Sequence, residues 1–545
     1  MQKIIDILKK FDIASIDKYK PTWVRCKLCS SEDLVQVAKA LQTNGLRSLV
    51  TVSPTDFLDD NKIEMNYFFE DYITKRNCWL KCDIPREMQR CEIDSLTPYF
   101  KGVNWSEREA FSMHGVRFRG HPDLRPIIVT QDFYNKAPFR MDFDWDKHEA
   151  NQTQNIKLIV DELKNEQIQN DKLLGESDMM LNWGPAHPNS GPISLKVHCN
   201  GEDIISIDPD IGYVWRALEH LVTKKDFIEA IVVVERLCFM DNINAIIGYA
   251  QAAEEIAKVE ITEFAKWLRV LLGEISRVTS HLMGIGGFFN TMGLHTVAMW
   301  CLDMREYFLD FFESYSGARI ATAAVEPGGL RWGLQEDMLD ELQKALDKFD
   351  DTKSSLEAIF IKNKTMYFRT DKVGCISADE VYDYALCGVV ARASGVKIDV
   401  RLDEPYAAYD KITMDYITQK NGCAVDRLNM LYEELKQSID IIKQAKKHIH
   451  EGIASGEFNP TKDHKVKFPK RLPKGEAISR VEWSRGEVLY HLVTQEKATN
   501  PYRLKIKAPS FNHTMMLNHL LAGQTISDIP LVFGSLYICQ GDLDR

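Results

Sequence analysis

The hydrophobic pattern of the chain changes once along its length, and this change limits the architectures open to it. Up to about residue 145, short β-rich runs such as Ser48–Val52 and Met65–Phe69 alternate with amphipathic helical stretches, which is typical of an α+β domain. From Val214 onward, apolar residues recur with a helical period, for example over Ile246–Ala257 and Phe264–Leu282. This second pattern predicts long packed helices, so we predict an α+β fold class.

A polar segment rich in Asn, Gln, Lys and Glu separates the two patterns. We predict an N-terminal α+β domain over residues 1–146, a linker over 147–180 and a mainly α-helical body over 181–545. Strand-like runs at Ile193–Val197 and Val488–Val493 place small β pieces at both ends of that body. Further helices are predicted over residues 1–19, Glu336–Ile361, Ala378–Ala393 and Asp426–Ile449.

The composition is that of a globular protein. Of 545 residues, 45% are hydrophobic and 27% are charged, which supplies a sizeable core. Acidic residues outnumber basic ones by 79 to 68, a net charge of -11, so we expect no nucleic-acid partner. Twelve cysteines are too few for a disulfide scaffold, and we expect most of them to be reduced thiols.

One stretch has the length of a membrane span. The 25 residues from Val278 to Leu302 contain no Lys, Arg, Asp or Glu, but they include His281, His295 and four glycines, which fit poorly with continuous hydrocarbon contact. We therefore predict a core element of a helical bundle, with membrane contact made only through partner subunits.

Two short motifs pair a cysteine with an aspartate three residues later: Cys238-Phe-Met-Asp241 and Cys539-Gln-Gly-Asp542. This spacing puts both side chains on one face of a turn, as in paired metal ligands. The alternative is a buried thiol beside a capping or ion-paired aspartate. No Walker A, G-x-G-x-x-G, G-x-S-x-G or H-E-x-x-H motif is present.

Other closely spaced cysteines lie in the first domain, at Cys26/Cys29 and Cys78/Cys82/Cys91. They are either core thiols, which is the default, or a zinc site.

Two sets of longer motifs follow the division into domains. The first set is Asn104–Phe111, Gly120–Arg125 and Pro138–Asp142. The second set is Gly184–Pro188, Asp208–Tyr213, Arg216, Glu235–Cys238, Ser316–Arg319, Pro327–Gly329, Arg392–Gly395, Pro405–Tyr406, Arg485–Glu487 and Pro501–Arg503. By the first set, the N-terminal domain resembles the C-type peripheral-arm subunit of respiratory complex I. By the second, the body resembles both its D-type subunit and the large subunit of [NiFe] hydrogenases. Fusion of the two resembles the large subunit of formate-hydrogenlyase-type hydrogenases.

The hydrogenase resemblance implies four cysteine ligands in two C-x-x-C pairs, but here both bridging positions hold aspartate, Asp241 and Asp542. Carboxylates are hard ligands where nickel and low-spin iron need thiolates, so we expect no [NiFe] centre. A mononuclear iron or zinc bound by Cys238, Asp241, Cys539 and Asp542 stays open. Arg485 matches a residue that covers the iron's diatomic ligands, or else it balances the two aspartates. The chain stops at Arg545, so we expect either the processed form of a hydrogenase-type precursor or a chain made without the extension.

The complex I resemblance implies a quinone pocket with a histidine loop and a tyrosine. His187 occupies the first histidine position, but Gly191 replaces the second and Phe239 replaces the tyrosine. Without these two proton donors, quinone reduction of the complex I type is an alternative rather than the expectation.

The resemblance also implies that Arg216 and His281 face the [4Fe-4S] cluster of a small partner subunit, with a surface ion pair and a core histidine as the alternatives. We predict a peripheral subunit on the cytoplasmic side of the membrane. It would form the terminal electron-acceptor cavity of an energy-converting oxidoreductase complex with further iron–sulfur and ion-pumping subunits. The alternatives are a hydrogenase, a quinone reductase or a non-catalytic scaffold whose cavity is filled by Phe239 and Tyr537.

Overall fold

The computed structural model describes residues 1–130, 133–148, 178–186 and 191–545. Most of the predicted linker, residues 149–177, lies outside the described residues, as does His187.

Fifteen strands are described, and they form five small sheets. They are β1 (Ile13–Lys20), β2 (Trp23–Leu28), β3 (Ser48–Phe57), β4 (Lys62–Glu70), β5 (Asn77–Pro85), β6 (Glu92–Asp94), β7 (Arg117–Arg119), β8 (Asp178–Trp183), β9 (Ser194–Asn200), β10 (Asp203–Asp210), β11 (Val325–Glu326), β12 (Gly329–Leu330), β13 (Gly475–Trp483), β14 (Gly486–Thr494) and β15 (Arg503–Lys507).

The N-terminal domain is built on a five-stranded sheet in the order β1-β2-β5-β4-β3. The pair β2–β5 is parallel and the other neighbours are antiparallel. One face of the sheet buries Val24, Leu49 and Leu80 in the same core as the apolar side of the helix Leu34–Thr43. Because strand side chains alternate between faces, Trp23, Phe68 and their neighbours point the other way, toward the body.

The prediction for residues 1–19 is wrong beyond the first turns. The helix ends at Leu8, and the chain continues as β1. Ile13 and Ile16 pair with Leu28 and Cys26 across an antiparallel ladder, so tertiary pairing of β-branched residues prevails over the helical periodicity.

Four of the five closely spaced cysteines of the N-terminal domain lie in its hydrophobic core. Cys26, Cys78, Cys82 and Cys91 are fully buried among apolar side chains, whereas Cys29 is exposed. Elsewhere, one disulfide that the sequence did not predict joins Cys375 to Cys423, and the other ten cysteines are free.

The α+β class is confirmed, with a sheet domain followed by a helical body. The described α-helices are Gln2–Leu8, Leu34–Thr43, Asn104–His114, Leu218–Thr223, Ile231–Val234, Asn242–Ala257, Glu263–Thr291, His295–Ser316, Glu336–Lys362, Lys364–Thr370, Ala378–Asp383, Gly388–Ala393, Val400–Asp403, Ala424–Ser455, Pro509–Met515, Leu517–Leu521, Ile529–Ser535 and Gln540–Leu543.

The helix Glu263–Thr291 is the centre of the body and packs against both His295–Ser316 and Ala424–Ser455. It begins where the Thr262 hydroxyl accepts the Ala265 N–H, a standard N-cap. The uncharged stretch spans its second half and the start of the next helix. Among the residues that the structure describes, no helix combines the length and hydropathy needed to cross a membrane.

The helix predicted over Ala378–Ala393 is interrupted between Asp383 and Gly388. Gly388 has a φ of +61°, and a Cβ there would overlap the Arg485 carbonyl. Close contact with the turn between β13 and β14 therefore breaks this helix.

A buried network of charges joins the helices of the body. Arg401 Nη1 lies 3.0 Å from Glu274 Oε1, and its Nη2 lies 2.7 Å from Asp399 Oδ2. Burial raises the pKa of Glu274, but the guanidiniums of Arg277 and Arg401 outweigh it and bring the pKa to about 2. The network is thus ionised and paired, and removing one member leaves uncompensated charge.

We expect Arg401→Met to lower the free energy of unfolding by about 3–5 kcal/mol, because Glu274 and Asp399 remain buried without their partner. Chemical denaturation of the purified chain measures this loss. The matched control is Arg90→Met, since Arg90 is 72% exposed and should change stability by less than about 1 kcal/mol. Equal losses for the two variants would contradict the assignment.

Candidate functional site

The structure brings together two cysteines that lie 301 residues apart in the chain. Cys238 follows the 3₁₀ turn Glu235–Leu237, and Cys539 precedes the short helix Gln540–Leu543. Their sulfur atoms are 3.7 Å apart, and both residues are buried. A Cβ on Gly541 would lie 2.6 Å from the Leu237 carbonyl oxygen, so this glycine lets the two segments approach closely.

Arg485 covers the sulfur pair from the turn between β13 and β14. Its Nη1 donates to Cys238 Sγ at 3.1 Å and to Ser280 Oγ at 3.3 Å. The guanidinium carbon lies 4.4 Å from the centre of the Tyr537 ring. Because the group is buried and always charged, it stabilises negative charge on the sulfurs.

The two thiols have opposite acidities. The pKa of Cys539 falls to about 5, chiefly through its hydrogen bond with Cys238 and further through Arg485 and the backbone N–H groups of Asp542 and Gly541. The same sulfur–sulfur hydrogen bond, together with burial, raises the pKa of Cys238. Arg485 bonds to Cys238, whereas the backbone N–H groups act on Cys539, and the lower pKa favours the thiolate at Cys539 with the shared proton on Cys238.

The two aspartates have different surroundings although their motifs have equal spacing. Asp241 accepts hydrogen bonds from Asn244 Nδ2 at 2.8 Å, Ser276 Oγ at 3.0 Å and the Ser484 N–H at 2.6 Å. Asp542 is fully buried, and among the described residues its carboxyl oxygens have no close hydrogen-bond donor beyond a weak contact with the Ser510 hydroxyl.

Burial and the nearby Cys539 raise the pKa of Asp542 to about 8, although Arg485 and the nearby Ser510 hydroxyl oppose the shift. Asp542 is therefore a neutral acid at pH 7.

The predicted four-ligand metal site does not fit this geometry. Asp241 already binds three protein donors, and Arg485 occupies the near side of Cys238. Within the described ranges, no group of three or more His, Cys, Asp and Glu side chains is arranged to hold a metal ion. With Asp241 held by protein donors, Cys238, Cys539 and Asp542 are the members of the predicted set that remain, and no step below is assigned to a metal.

The residues predicted to face a partner's cluster lie in different places. His281 is fully buried, and its Nε2 is 3.4 Å from Glu434 Oε2. Burial lowers the pKa of His281, which is the behaviour of a core histidine. Arg216 is exposed and donates to the Arg236 carbonyl at 2.7 Å. The negative charge of Cys539 acts to raise the pKa of Arg216, against burial and Arg236, so Arg216 lies within electrostatic reach of the thiol pair.

Tyr537 fills the space beside the sulfurs, whereas Phe239, which was expected to do the same, is 51% exposed. The Tyr537 hydroxyl is 2.7 Å from Ser280 Oγ, and that atom is 2.9 Å from Ser484 Oγ. Sequence reasoning missed both serines. Ser484 adjoins Arg485 in the chain, and this adjacency is the one signal that points to it.

Two family models match the chain. The respiratory-chain NADH dehydrogenase 30 Kd subunit matches residues 28–149, and the 49 Kd subunit of the same enzyme matches residues 291–545. The D 2 subunit of NADH-quinone oxidoreductase from Solibacter usitatus is 33% identical over 68% of this chain and 98% of its own length. The C/D subunit of the same enzyme from Hydrogenobaculum sp. is 27% identical over 94% of each chain.

Among solved structures, the membrane-bound sulfane sulfur reductase, an archaeal respiratory membrane complex, contains a chain that superposes with a TM-score of 0.64 and 27% identity. The match covers 68% of this chain and all of that one.

These matches define an oxidoreductase-complex component in which a C-type and a D-type module are fused. The chain belongs to the family of NADH-quinone oxidoreductase D-type subunits and carries the 30 Kd-type module at its N-terminal end. The matches described above do not carry the formate-hydrogenlyase name, so that part of the resemblance stays a prediction.

We expect Cys539 to titrate with a midpoint near pH 5, because Cys238, Arg485 and two backbone N–H groups stabilise its thiolate. Thiolate absorbance at 240 nm should fall as the pH drops through this value. Cys539→Ser should abolish the step, and Arg485→Met should move it to higher pH. Cys301→Ser is the control, since burial raises the pKa of Cys301 to about 12. A first thiolate step above pH 8 would contradict the assignment.

We expect Gly284→Ala to open a second approach to the thiol pair on the side that Tyr537 fills, because a Cβ on Gly284 would overlap the Tyr537 ring. The displaced ring would lose its hydrogen bond to Ser280, and alkylation of Cys539 by iodoacetamide should accelerate, as read by peptide mass spectrometry. Gly287→Ala lies in the same helix with nothing within 4 Å of its Cβ, and it should react like the parent. Equal rates for the two variants would rule out Tyr537 as the cover.

Proposed function

We propose that this chain forms the terminal electron-acceptor site of a complex I-like respiratory complex, next to a small partner subunit that carries a [4Fe-4S] cluster. The observation that carries the proposal is the thiol pair with its buried arginine, situated just beneath an exposed face. Exposed residues that adjoin the site are Phe239, which follows Cys238 in the chain, and Arg216, on whose pKa Cys539 acts. Large apolar side chains beside cationic ones suit a protein interface.

Arg216 supports the direction of electron transfer. A guanidinium beside a cluster stabilises its reduced state. Arg216 lies within electrostatic reach of Cys539 and Asp544, and among the described residues its printed hydrogen bond goes to the Arg236 carbonyl rather than to a carboxylate. A cluster docked on this face would stand within the field of Arg216 and close to Cys539.

The acceptor we propose is a compound with a sulfur–sulfur bond. Two cysteines beside a buried cation suit sulfur exchange, and the solved relative is a sulfane sulfur reductase. Quinone reduction is the second candidate, because the family is named for it. Against it, Phe239 has no hydroxyl group and points outward, being 51% exposed.

The subunit would lie peripherally on the cytoplasmic side of the membrane, with membrane contact made by its partners. Reduction at the thiol pair would then be coupled to ion-pumping subunits. A [NiFe] centre has no place in this proposal, since the second position of each motif is an aspartate.

The test uses the purified complex, with its clusters photoreduced under anaerobic conditions. We expect an organic trisulfide to reoxidise the clusters, and a short-chain quinone or protons to do so far more slowly. Arg485→Met should slow the trisulfide reaction about 100-fold, as removal of a buried charge-stabilising donor does elsewhere. Arg90→Met serves as the unaffected control.

Preferential reoxidation by the quinone would favour the second candidate. A parent complex that neither the trisulfide nor the quinone reoxidises would point to a non-catalytic scaffold, and an Arg485→Met complex that reacts like the parent would contradict the role of Arg485.

A further inference from the structure

We propose that Cys539 and Cys238 are a catalytic dithiol that cleaves the sulfur–sulfur bond of the acceptor by covalent exchange. Cys539 would be the nucleophile, Cys238 the resolving thiol and Asp542 the proton donor. The inference rests on the proposed function for its source of electrons, but not for the thiol chemistry itself.

The distance between the two sulfur atoms suits a pair that can form and break a disulfide bond. A disulfide needs about 2.05 Å between sulfurs, and here they lie 3.7 Å apart. The close contact of Gly541 with the Leu237 carbonyl holds the two segments together. Closing the pair therefore needs a shift of roughly 2 Å and no rearrangement of the helices.

Burial assigns the order of attack. Cys539 is 4% exposed and Cys238 is fully buried, so an acceptor arriving from the Arg216 face meets Cys539 first. Cys238 lies behind it with Arg485 Nη1 at 3.1 Å. This contact stabilises the negative charge that develops on Cys238 when it resolves the adduct.

Asp542 supplies the proton that the leaving group needs. Its carboxyl group is fully buried, has no strong hydrogen-bond donor among the described residues apart from the nearby Ser510 hydroxyl, and lies in the same turn as Cys539. A structural aspartate would be bonded, as Asp241 is. A free acid beside a nucleophile has the position of a general acid.

The exchange balances in three steps. First, the Cys539 thiolate attacks the outer sulfur of a trisulfide R–S–S–S–R′, and R′–S–S⁻ leaves and takes the Asp542 proton. Next, Cys238 attacks Cys539 Sγ, which closes the disulfide, while R–S⁻ leaves with the proton of Cys238. Finally, two single-electron transfers from the partner's iron–sulfur cluster and two protons restore Cys238–SH, the Cys539 thiolate and neutral Asp542. The net reaction consumes two electrons and two protons per trisulfide.

The test uses the intact complex without an electron donor, so that only the thiol steps can run. After incubation with an organic trisulfide and quenching by acid, peptide mass spectrometry should find a Cys238–Cys539 disulfide. Cys238→Ser should stop at one R–S adduct per chain on Cys539. Cys539→Ser should leave Cys238 unmodified, and Cys301→Ser should behave like the parent. The existing Cys375–Cys423 disulfide is the internal reference.

Asp542→Asn should slow adduct formation about 100-fold and remove its dependence on a group that titrates near pH 8. An Asp542→Asn complex with the parent's rate and pH profile would overturn the acid role. Thermal melting of each serine and asparagine variant separates loss of chemistry from loss of folding.

The two proposals fail in different ways. If the trisulfide still reoxidises the photoreduced Cys539→Ser complex, the covalent route is wrong and the proposed function stands. If the disulfide forms but the clusters are reoxidised only by the quinone, the proposed function is wrong and the thiol chemistry stands.

Discussion

The hydrogen bond from the Ser484 N–H to Asp241, at 2.6 Å, holds the turn on which the site depends. This turn joins β13 to β14 and carries Arg485. On its other side, a Cβ on Gly486 would lie 2.7 Å from the Gly388 backbone nitrogen, so backbone packs directly on backbone. Because the turn is fixed on both sides, the guanidinium of Arg485 is held next to the two sulfur atoms although it is buried.

The two Cys-x-x-Asp motifs show what a sequence can and cannot predict. Their residue types and spacing identified both cysteines and both aspartates as candidates, and the structure brings the two cysteine sulfurs within 3.7 Å of each other. The spacing could not show that Asp241 would accept three close hydrogen bonds while Asp542 would have only the Ser510 hydroxyl nearby among the described residues. That difference depends on Ser276 and Ser484, which belong to other parts of the chain and are brought in only by tertiary packing.

Prediction of the fold from sequence periodicity has the same limit, because local patterns do not show tertiary contacts. Periodicity found the helices Glu263–Thr291 and Ala424–Ser455, because each has a broad apolar side that the chain itself displays. Periodicity predicted the wrong structure over residues 13–19, because strand pairing with β2 determines the conformation there. It also missed the helix break at Gly388, which contact with the Arg485 carbonyl causes. The position of His281 cannot be derived from local sequence for a related reason: its neighbour Glu434 belongs to another helix, which places this histidine in the core.

The N-terminal domain supports the hairpin that carries Arg485, so fusion of the two modules bears directly on the site. Trp23, Phe68 and Trp79 pack against Ile478 of β13 and Leu489 of β14.

Polar contacts follow the same boundary between the modules. Ser53 Oγ is 3.0 Å from His491 Nδ1, and Arg480 Nη2 is 3.0 Å from Glu70 Oε2. On its other side, the hairpin packs on the helix Asn242–Ala257, which begins beside Asp241. A sheet and a helix thus enclose the hairpin, and the position of the buried guanidinium depends on both modules at once.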